Sequence, residues 1–400
     1  MNTRPSTRHF EVLIIGGGAG GLSVAARLCK ATPRPEVGIL EPSAKHYYQP
    51  LWTLVGGGDA RKEDTERSEA TLIPRGATWI QDAAGELKPD ENAVVASSGQ
   101  RYTYDWLVVA PGIQLNWDRV KGLPGNVGRD FVCSNYSYDT VDYTWKAIQE
   151  FQGGTAVFTH PSTPIKCGGA PQKIMYLAAD YWRKHPRSKP TRIVFYIGPG
   201  EIFQVKKYAD SLLKAVQRYG IEVHYQHDLR AIDAANRVAT FQRLSDDCTV
   251  TTPYDFLHVT PPMSAPDFIS QSPLADEAGW AAADKHTLRS PKFPNVFALG
   301  DASSLPTSKT GAAIRKQAPV CAKNLLAAIR GEELPASYDG YTSCPLVTGY
   351  GKLVLAEFGY DKQPDETFPF DQGKERRSMY WLKKHLLPRL YWDGMLKGRA

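Results

Sequence analysis

Residues 12–21 read Val-Leu-Ile-Ile-Gly-Gly-Gly-Ala-Gly-Gly, and this stretch decides the fold. The four apolar residues predict a buried parallel strand, and the residues after the glycines are typical of a helix. Gly16, Gly18 and Gly21 have the Gly-x-Gly-x-x-Gly spacing of a turn that lets a pyrophosphate approach the start of that helix. Glu41, at the end of the next predicted strand, is placed to accept hydrogen bonds from a ribose. The pattern predicts a dinucleotide-binding βαβ unit.

Two later segments favour FAD over NAD as the bound dinucleotide. Residues 106–112 (Trp-Leu-Val-Val-Ala-Pro-Gly) and 296–301 (Val-Phe-Ala-Leu-Gly-Asp) resemble the second and third flavin signatures of flavoproteins with two dinucleotide domains. The resemblance implies flavin contacts from Ala110, Gly112 and Asp301, with the aspartate binding the ribityl–phosphate part of FAD. Asp after Gly is also a common helix N-cap, and Asp301 could serve both purposes.

A second strand–turn–helix–strand unit begins near residue 192, with a predicted helix from Lys206 to Tyr219. Its turn, residues 198–203, reads Gly-Pro-Gly-Glu-Ile-Phe. Phe203 takes the third glycine position, and Glu201 brings negative charge to the place where a pyrophosphate would lie. We therefore expect NAD(P)H to bind poorly or not at all, and one non-covalent FAD to be the cofactor.

Two βαβ beginnings in one chain predict an α/β protein with two Rossmann-like domains, the second inserted into the first. The expected FAD-binding domain is discontinuous and comprises residues 1–150 and 283–345. A degenerate NAD-type domain is expected over residues 151–282, and a separate C-terminal segment over residues 346–400.

The net charge of +6 is concentrated at the C-terminus. Residues 376–400 contain seven Lys or Arg and one Asp, so the rest of the chain is neutral. A localised charge of this kind argues against a nucleic-acid-binding surface. No apolar run of about 18 residues predicts a transmembrane helix, and the polar residues 1–9 do not resemble a signal peptide.

The six cysteines contain no CxxC motif and no Cys/His metal pattern, so no metal is expected. Cys167 follows Lys166 and precedes a predicted helix; the helix dipole and the ammonium should both lower its pKa. Cys344 precedes Pro345 in a polar segment. The other four cysteines are expected to be core residues (Cys29, Cys321), a surface residue (Cys248) and a residue of undecided role (Cys133).

Several longer strings carry a more specific resemblance. They are residues 46–56 (His-Tyr-Tyr-Gln-Pro-Leu-Trp-Thr-Leu-Val-Gly), 166–173 (Lys-Cys-Gly-Gly-Ala-Pro-Gln-Lys), 259–263, 305–310 and 341–350. With them the chain resembles the sulfide:quinone oxidoreductases, in the subgroup that includes the mitochondrial enzymes. The resemblance runs from about residue 10 to about residue 397 and implies a glutathione-reductase-like fold.

The resemblance also implies a chemistry. Cys167 and Cys344 would form a redox pair, joined by a disulfide or a bridging sulfur, that oxidises hydrogen sulfide and passes electrons through FAD to a ubiquinone-type quinone. Lys309 would stabilise charge on the reduced isoalloxazine. Cys167 is expected to face the flavin and Cys344 to release sulfur. The sulfur acceptor stays open among glutathione, sulfite, cyanide and sulfide itself.

The C-terminal residues interleave aromatics, leucines and bases, as in amphipathic segments that lie on membranes. We expect Pro388 to break this segment into two short helices, and Pro50, Phe370 and Tyr380 to contact the quinone. The alternative is a helix docked on the protein core. The expected location is peripheral, on the cytoplasmic side of a bacterial inner membrane.

Two other functions share many of these features. A type II NADH:quinone dehydrogenase has the same architecture, but the degraded second glycine turn and the cysteine pair argue against it. A flavin-bound sulfur carrier or sensor without turnover is the other alternative, and the quinone-side segment argues against that.

Overall fold

The strand Arg8–Ile15 lies at the centre of a seven-stranded sheet. The computed structural model describes residues 7–400, so the expected polar N-terminus lies mostly outside the described residues. Parallel neighbours flank the strand on both sides, with Val12 paired to Val37 and to Trp106. The sheet comprises Arg8–Ile15, Val37–Leu40, Ala77–Ile80, Ala84–Lys88, Ala93–Ala96, Arg101–Val109 and Val296–Ala298.

The glycine turn after this strand has the tight geometry that its sequence predicts. Gly16 has a φ of +97°, and a Cβ at Gly21 would clash with the carbonyl oxygen of Gly16. Both positions therefore require glycine. The helix that follows is Ala19–Leu28, with Gly18 as its N-cap. The sequence predicts a helix only after Gly21, but the helix begins at Ala19 because the glycines themselves form its first turn.

A second, five-stranded parallel sheet is built from Val132–Cys133, Gly154–His160, Thr191–Ile197, Glu222–Tyr225 and Phe256–His258. Its helices are Val141–Glu150, Ala170–Lys184 and Lys206–Tyr219, the last with the predicted bounds. The predicted α/β fold with two Rossmann-like units is confirmed. The second sheet takes its first short strand from residues before 150, and the domain boundaries themselves stay predictions.

Smaller elements connect and cover the two sheets. Three antiparallel strands, His227–Asp233, Val238–Arg243 and Thr249–Pro253, form a separate sheet. Two short pairs join Lys45–Tyr47 to Glu66–Ser68 and Gln114–Leu115 to Met263–Ser264. Short helices are found at Trp52–Gly56 and Asp267–Ser270.

The long helix Gly311–Ile329 and the hairpin Thr342–Gly349 with Lys352–Phe358 bring the two halves together. Thr310 caps the long helix, because its hydroxyl accepts a hydrogen bond from the N–H of Ala313. The first hairpin strand packs against both the long helix and the helix Ala170–Lys184. Because of this packing, Cys344 in the hairpin lies next to the loop that contains Cys167.

The C-terminal helix, residues 377–395, is continuous through Pro388, so the expected break is wrong. It begins as an α-helix, Arg377–Trp381, and takes π-helical form at Leu382–Leu386 and Leu390–Met395 around the short turn Leu387–Arg389. The wider π turns accommodate a proline ring that has no N–H to donate.

The C-terminal helix has one face buried against the protein and one face open to solvent. Its inner side chains join the core that surrounds the first sheet: Met379, Tyr380, Tyr391, Trp392 and Met395. On its outer side, Trp381 is 55% exposed and Leu386 42% exposed. The docked-helix alternative is therefore correct for one face, while the other face is open to solvent. Among residues 7–400, no helix is both long enough and apolar enough to cross a bilayer.

Candidate active site

Cys167 and Cys344 lie side by side although 177 positions separate them, with their Sγ atoms 3.3 Å apart. Cys167 is half-buried in the loop before the helix Ala170–Lys184, and Cys344 is 2% exposed on the hairpin. Small movements of the two side chains would bring the sulfurs within bonding distance. The structure thus brings together the two cysteines expected to act as a pair.

The loop at Cys167 has a shape that few sequences allow. Cys167 has a φ of +55°, in the left-handed region that non-glycine residues seldom adopt. Its N–H donates to the carbonyl of Lys309 at 2.7 Å, and its own carbonyl accepts from the N–H of Ala170 at 2.8 Å. A Cβ at Gly169 would lie 2.8 Å from the Sγ of Cys344, so only glycine fits beside the pair. The backbone therefore holds Cys167 in place.

Lys173 helps to make the pKa values of the two cysteines different. Its Nζ donates to the Sγ of Cys167 at 3.0 Å from the first turn of the helix. A hydrogen bond from the Cys344 thiol and the ammonium of Lys173 hold the pKa of Cys167 well below its usual range, although burial opposes them. The hydrogen bond to Cys167 and burial raise the pKa of Cys344 well above its usual range. Cys167 is therefore the thiolate of the pair and Cys344 the thiol.

The expected direction of the Cys167 shift is correct, but its expected charge partner is wrong. The Nζ of Lys166 bonds to the side-chain oxygen of Gln49 at 2.7 Å, away from the sulfurs. Burial lowers the pKa of Lys166 to about 8. The cation at Cys167 comes instead from Lys173, seven residues further along the chain in the first turn of the helix.

A second lysine reaches the pair from the C-terminal helix. Lys383 is 3% exposed, and its Nζ donates to the carbonyl of Pro50 at 2.7 Å. Burial, and then repulsion by Lys173, lower the pKa of Lys383 to about 7, while the charges of Cys167 and Cys344 act in the opposite direction. Two buried lysines therefore act on the sulfurs, Lys173 through a hydrogen bond and Lys383 through its charge.

The glycine turn has the free space that a dinucleotide needs. A Cβ at Gly18 or at Gly112 would meet no atom within 4 Å, and Gly112 has a φ of +82°. A Cβ at Gly16 would clash with the carbonyl of Ala110, so the first and second flavin segments are in direct contact. The carboxylate of Glu41 accepts from the N–H of Gly17 at 2.8 Å. These residues form a cradle that fits the adenosine diphosphate half of FAD.

The third flavin segment connects this cradle to the cysteines. Asp301 lies in the short turn Gly300–Ala302, where its carboxylate makes no cap bond, and burial raises its pKa. The Nζ of Lys309 donates to the carbonyls of Asp301 at 2.7 Å and Ser303 at 3.0 Å, and lies 3.8 Å from the ring centroid of Trp280. Burial lowers the pKa of Lys309 to about 8. Because the backbone of Lys309 also binds Cys167, one strand segment joins the flavin cradle to the redox pair.

Comparisons with known proteins extend this description. Residues 10–147 match the Pyridine nucleotide-disulphide oxidoreductase family model. The mitochondrial sulfide:quinone oxidoreductase of Mus musculus is 48% identical over 391 residues, which cover 98% of this chain and 87% of that protein. The chain belongs to the sulfide:quinone oxidoreductase family. The Schizosaccharomyces pombe member is 41% identical over 423 residues, which cover 100% of this chain and 92% of that protein.

The structure of the Aquifex aeolicus sulfide:quinone oxidoreductase superposes with a TM-score of 0.81. It covers 98% of this chain and 93% of that chain at 18% identity, and so establishes the shared fold. Membership in the sulfide:quinone oxidoreductase family implies FAD, and the cradle fits it. Three relatives at 41–48% identity carry mitochondrial names, so the expectation of a bacterial inner membrane finds no support.

The three expected quinone contacts are not all placed together. Pro50 and Tyr380 both meet the C-terminal helix: Pro50 through Lys383, and Tyr380 from within the helix by donating to the carboxylate of Asp59 at 2.6 Å. Phe370 instead stacks on Phe368 and lies 4.1 Å below the guanidinium of Arg376.

The remaining cysteines have structural surroundings. Cys321 is buried and Cys248 exposed, as expected, and Cys29 is half-buried. Cys133 is fully buried with its Sγ 3.5 Å from the carbonyl of Leu257, and burial raises its pKa. Burial of this kind keeps a thiol protonated and unreactive, unlike the thiolate of Cys167.

The first glycine of the second Rossmann turn packs against its own chain, as Gly16 does, and the turn departs from the nucleotide-binding pattern at its third glycine. A Cβ at Gly198 would clash with the backbone N–H of Ser162, whose side chain is held by the carboxylate of Asp228 at 2.5 Å. Phe203, at the third glycine position, is 7% exposed and packs in the core. The type II NADH dehydrogenase alternative is not favoured by these contacts or by the family.

Proposed function

We propose that this protein catalyses the flavin-dependent oxidation of sulfide with a quinone as electron acceptor, the two substrates that its family name states. The observation that carries the proposal is the thiolate–thiol pair of Cys167 and Cys344, 3.3 Å apart and held by Lys173. Charge separation within a cysteine pair is what an exchange reaction with hydrosulfide requires, because one sulfur must leave as a thiolate.

The sulfur chemistry follows from the polarity of the pair. The oxidised cysteines are joined directly or through one bridging sulfur; with the bridge, attack at Cys344 releases Cys167 as a persulfide. In the direct disulfide three sulfurs take part. Hydrosulfide attacks the sulfur of Cys344, the bond breaks, and Cys167 leaves as the thiolate that Lys173 stabilises. Cys344 then carries the added sulfur as a persulfide, so the exchange itself is balanced and transfers no electrons outside the three sulfurs.

Release of the product restores the pair. The outer sulfur of the Cys344 persulfide passes to a nucleophilic acceptor such as glutathione, sulfite, cyanide or sulfide, leaving a thiol. Re-forming the bond between the Cys344 thiol and the Cys167 thiolate releases one proton and two electrons. When bound, FAD would supply the two-electron acceptor for this step, with a ubiquinone-type quinone as the final acceptor.

The flavin is held by the residues of the cradle in this proposal. Gly16, Gly18 and Gly21 give the pyrophosphate access to the helix N-terminus, and Glu41 binds a ribose. Ala110, Gly112, Asp301 and Lys309 are assigned to the flavin half. The FAD-binding domain comprises residues 1–150 and 283–345, and residues 151–282 form the inserted domain.

The quinone enters along the C-terminal segment, residues 346–400, in this proposal. Trp381 and Leu386 on the outer face of its helix attach the protein peripherally to a membrane surface. Tyr380, on the inner side of the helix, and Pro50, an exposed residue whose carbonyl accepts from Lys383, are assigned to the quinone. Phe370 is proposed at the edge of this region.

An anaerobic titration with sulfide, monitored by flavin absorbance, tests the proposal. We expect bleaching of the wild-type flavin, and a loss of about 10³-fold or more in its rate for Cys344→Ser and Cys167→Ser. Cys248→Ser is the matched control, because this exposed cysteine should be replaceable without effect. Flavin reduction at the wild-type rate in Cys344→Ser contradicts the scheme.

Two further measurements address the alternatives. Reduction of the flavin by NADH at the rate seen with sulfide would favour the dehydrogenase. Sulfide-dependent flavin reduction without any steady-state quinone reduction would favour a sulfur carrier or sensor.

A further inference from the structure

Glu69 is a buried carboxylate beside the nucleotide-binding turn, outside the flavin signatures. It is 1% exposed, in the short turn Glu69–Thr71. A Cβ at Gly17 would clash with its Oε1 on one side and lie 2.6 Å from the Cγ of Glu41 on the other. Within residues 7–400, this Oε1 has no hydrogen-bond partner. A buried charged oxygen without a donor is costly, so the geometry calls for a donor from the nucleotide side.

The other oxygen of Glu69 is tied to the C-terminal helix. Its Oε2 lies 3.0 Å from the Nδ1 of His46, and the Nε2 of the same ring lies 2.5 Å from the hydroxyl of Tyr391. His46 and Tyr391 are each 5% exposed. The ring of Trp392 packs edge-on against His46 with the centroids 5.6 Å apart. One buried chain of hydrogen bonds therefore runs from the glycine turn to the C-terminal helix.

The chemistry of the nucleotide identifies the missing donor. A pyrophosphate offers only acceptor oxygens near neutral pH, whereas ribose hydroxyls can donate. Glu41, the expected ribose acceptor, already receives the N–H groups of Gly17 and Ser43, at 2.8 and 2.7 Å. Burial, and to a lesser extent the charge of Glu69, raise the pKa of Glu41. Each oxygen of Glu41 thus already accepts one hydrogen bond, whereas among residues 7–400 the Oε1 of Glu69 accepts none.

We propose that Glu69 is a further flavin-binding residue that accepts a hydrogen bond from a ribose hydroxyl of FAD, and that His46 and Tyr391 position it. The C-terminal helix then helps to retain the flavin, although Tyr391 touches no part of the expected cradle. The inference rests on the flavin binding in the proposed function and adds a residue and a support chain to it.

Release of FAD from the holoenzyme tests this inference, measured as recovery of free flavin fluorescence after dilution. Glu69→Gln removes the charge, and we expect FAD release about tenfold faster, the order of one charge-assisted hydrogen bond. Tyr391→Phe should accelerate release several-fold with no contact to the flavin. Tyr380→Phe is the matched control: it lies on the same helix but bonds to Asp59, and its release rate should stay within about twofold of wild type.

The double variant Glu69→Gln/Tyr391→Phe separates a shared chain from two independent effects. Because both changes act through one carboxylate, we expect the double variant to release FAD little faster than Glu69→Gln alone. Wild-type release rates in both single variants overturn the inference. Equal acceleration by Tyr380→Phe also overturns it, since helix loosening would then explain the effect.

If Glu69→Gln does not fold, Tyr391→Phe against Tyr380→Phe decides the question alone. Failure of the proposed function looks different: sulfide would leave the wild-type flavin oxidised in the anaerobic titration, whereas FAD release would still depend on Glu69 and Tyr391.

Discussion

The Nζ of Lys173 lies 3.0 Å from the Sγ of Cys167, and both groups are carried by a single loop and helix start. The ammonium and the first helical turn thus act on one sulfur, while Cys344 approaches from a separate hairpin. This arrangement makes two chemically identical side chains unequal before any substrate binds.

Replacing Lys173 by Met should raise the pKa of Cys167, because an attractive charge beside the thiolate is lost. Alkylation of the reduced enzyme by iodoacetamide should then have its midpoint at higher pH and be roughly tenfold slower at pH 6. Lys206→Met is the control, since that exposed lysine pairs with Asp210 on the surface. An unchanged pH profile in Lys173→Met would show that Cys344 alone sets the polarity.

Lys383 should make stability depend on pH. Its pKa is lowered to about 7 in the folded protein, so between about pH 7 and its ordinary value near 10.5 the unfolded chain binds more protons. The cost of burying the charge is therefore full below pH 7 and disappears as pH rises toward 10.5. Lys383→Met should raise the free energy of unfolding by roughly 1–4 kcal/mol at pH 6, with little gain at pH 10.

Denaturant titrations at pH 6, 8 and 10 measure this dependence. Lys384→Met is the matched neighbour, because Lys384 is paired with Asp59 at the surface and should show no such trend. A gain for Lys383→Met that is equal at pH 6 and pH 10 would contradict the buried-charge explanation.

Substitutions of two glycines in the same motif should have different effects on folding. Gly21→Ala places a Cβ against the carbonyl of Gly16, so the strand and helix cannot close and the protein should lose its cooperative unfolding transition. Gly18→Ala meets no atom of the protein and should fold, with an unfolding free energy within about 1 kcal/mol of wild type.

The new methyl at position 18 does enter the space expected for the pyrophosphate, so the Kd for FAD should rise about tenfold or more. Flavin fluorescence titration of the refolded apoprotein measures it. Wild-type affinity in Gly18→Ala would place the pyrophosphate elsewhere.

Membrane attachment should depend on the outer face of the C-terminal helix. In Trp381→Ser/Leu386→Ser, sedimentation with anionic vesicles should fall by tenfold or more, because each large apolar side chain contributes roughly 1.5–3 kcal/mol when buried. Leu213→Ser is the control, since Leu213 is 43% exposed on another helix. These substitutions are sharper than removal of the segment, which would uncover the buried Tyr391 and Trp392. Equal loss in both variants would argue against a specific attachment face.

The sequence predicts the elements that local rules determine. The strand, turn and helix around Gly16 follow from hydrophobic runs and glycine spacing, and the helix Lys206–Tyr219 is obtained with its true bounds. The pairing of Cys167 with Cys344 is different, because residues 177 positions apart share no local pattern, and it was accessible only through the resemblance.

The lysines at the sulfurs were missed for the same reason. Lys173 directly precedes an apolar stretch, residues 174–177, and a charge at the edge of that predicted buried stretch is the signal that could reveal it. The sequence places Lys383 among the basic residues of the C-terminal segment, since only the docked helix shows that this side chain points inward. The break expected at Pro388 does not occur, because π-helical turns on both sides of the proline keep the helix continuous.

The C-terminal helix carries Lys383 toward the sulfurs and Trp381 toward solvent, and a helix with its side chains is only about 10–12 Å across. If the outer face of this helix lies on a membrane, the thickness of one helix would separate the cysteine pair from the quinone in the lipid. In this way, a C-terminal helix added to a fold with two Rossmann-like sheets can give it access to an electron acceptor in the membrane. The two sheets themselves need not change.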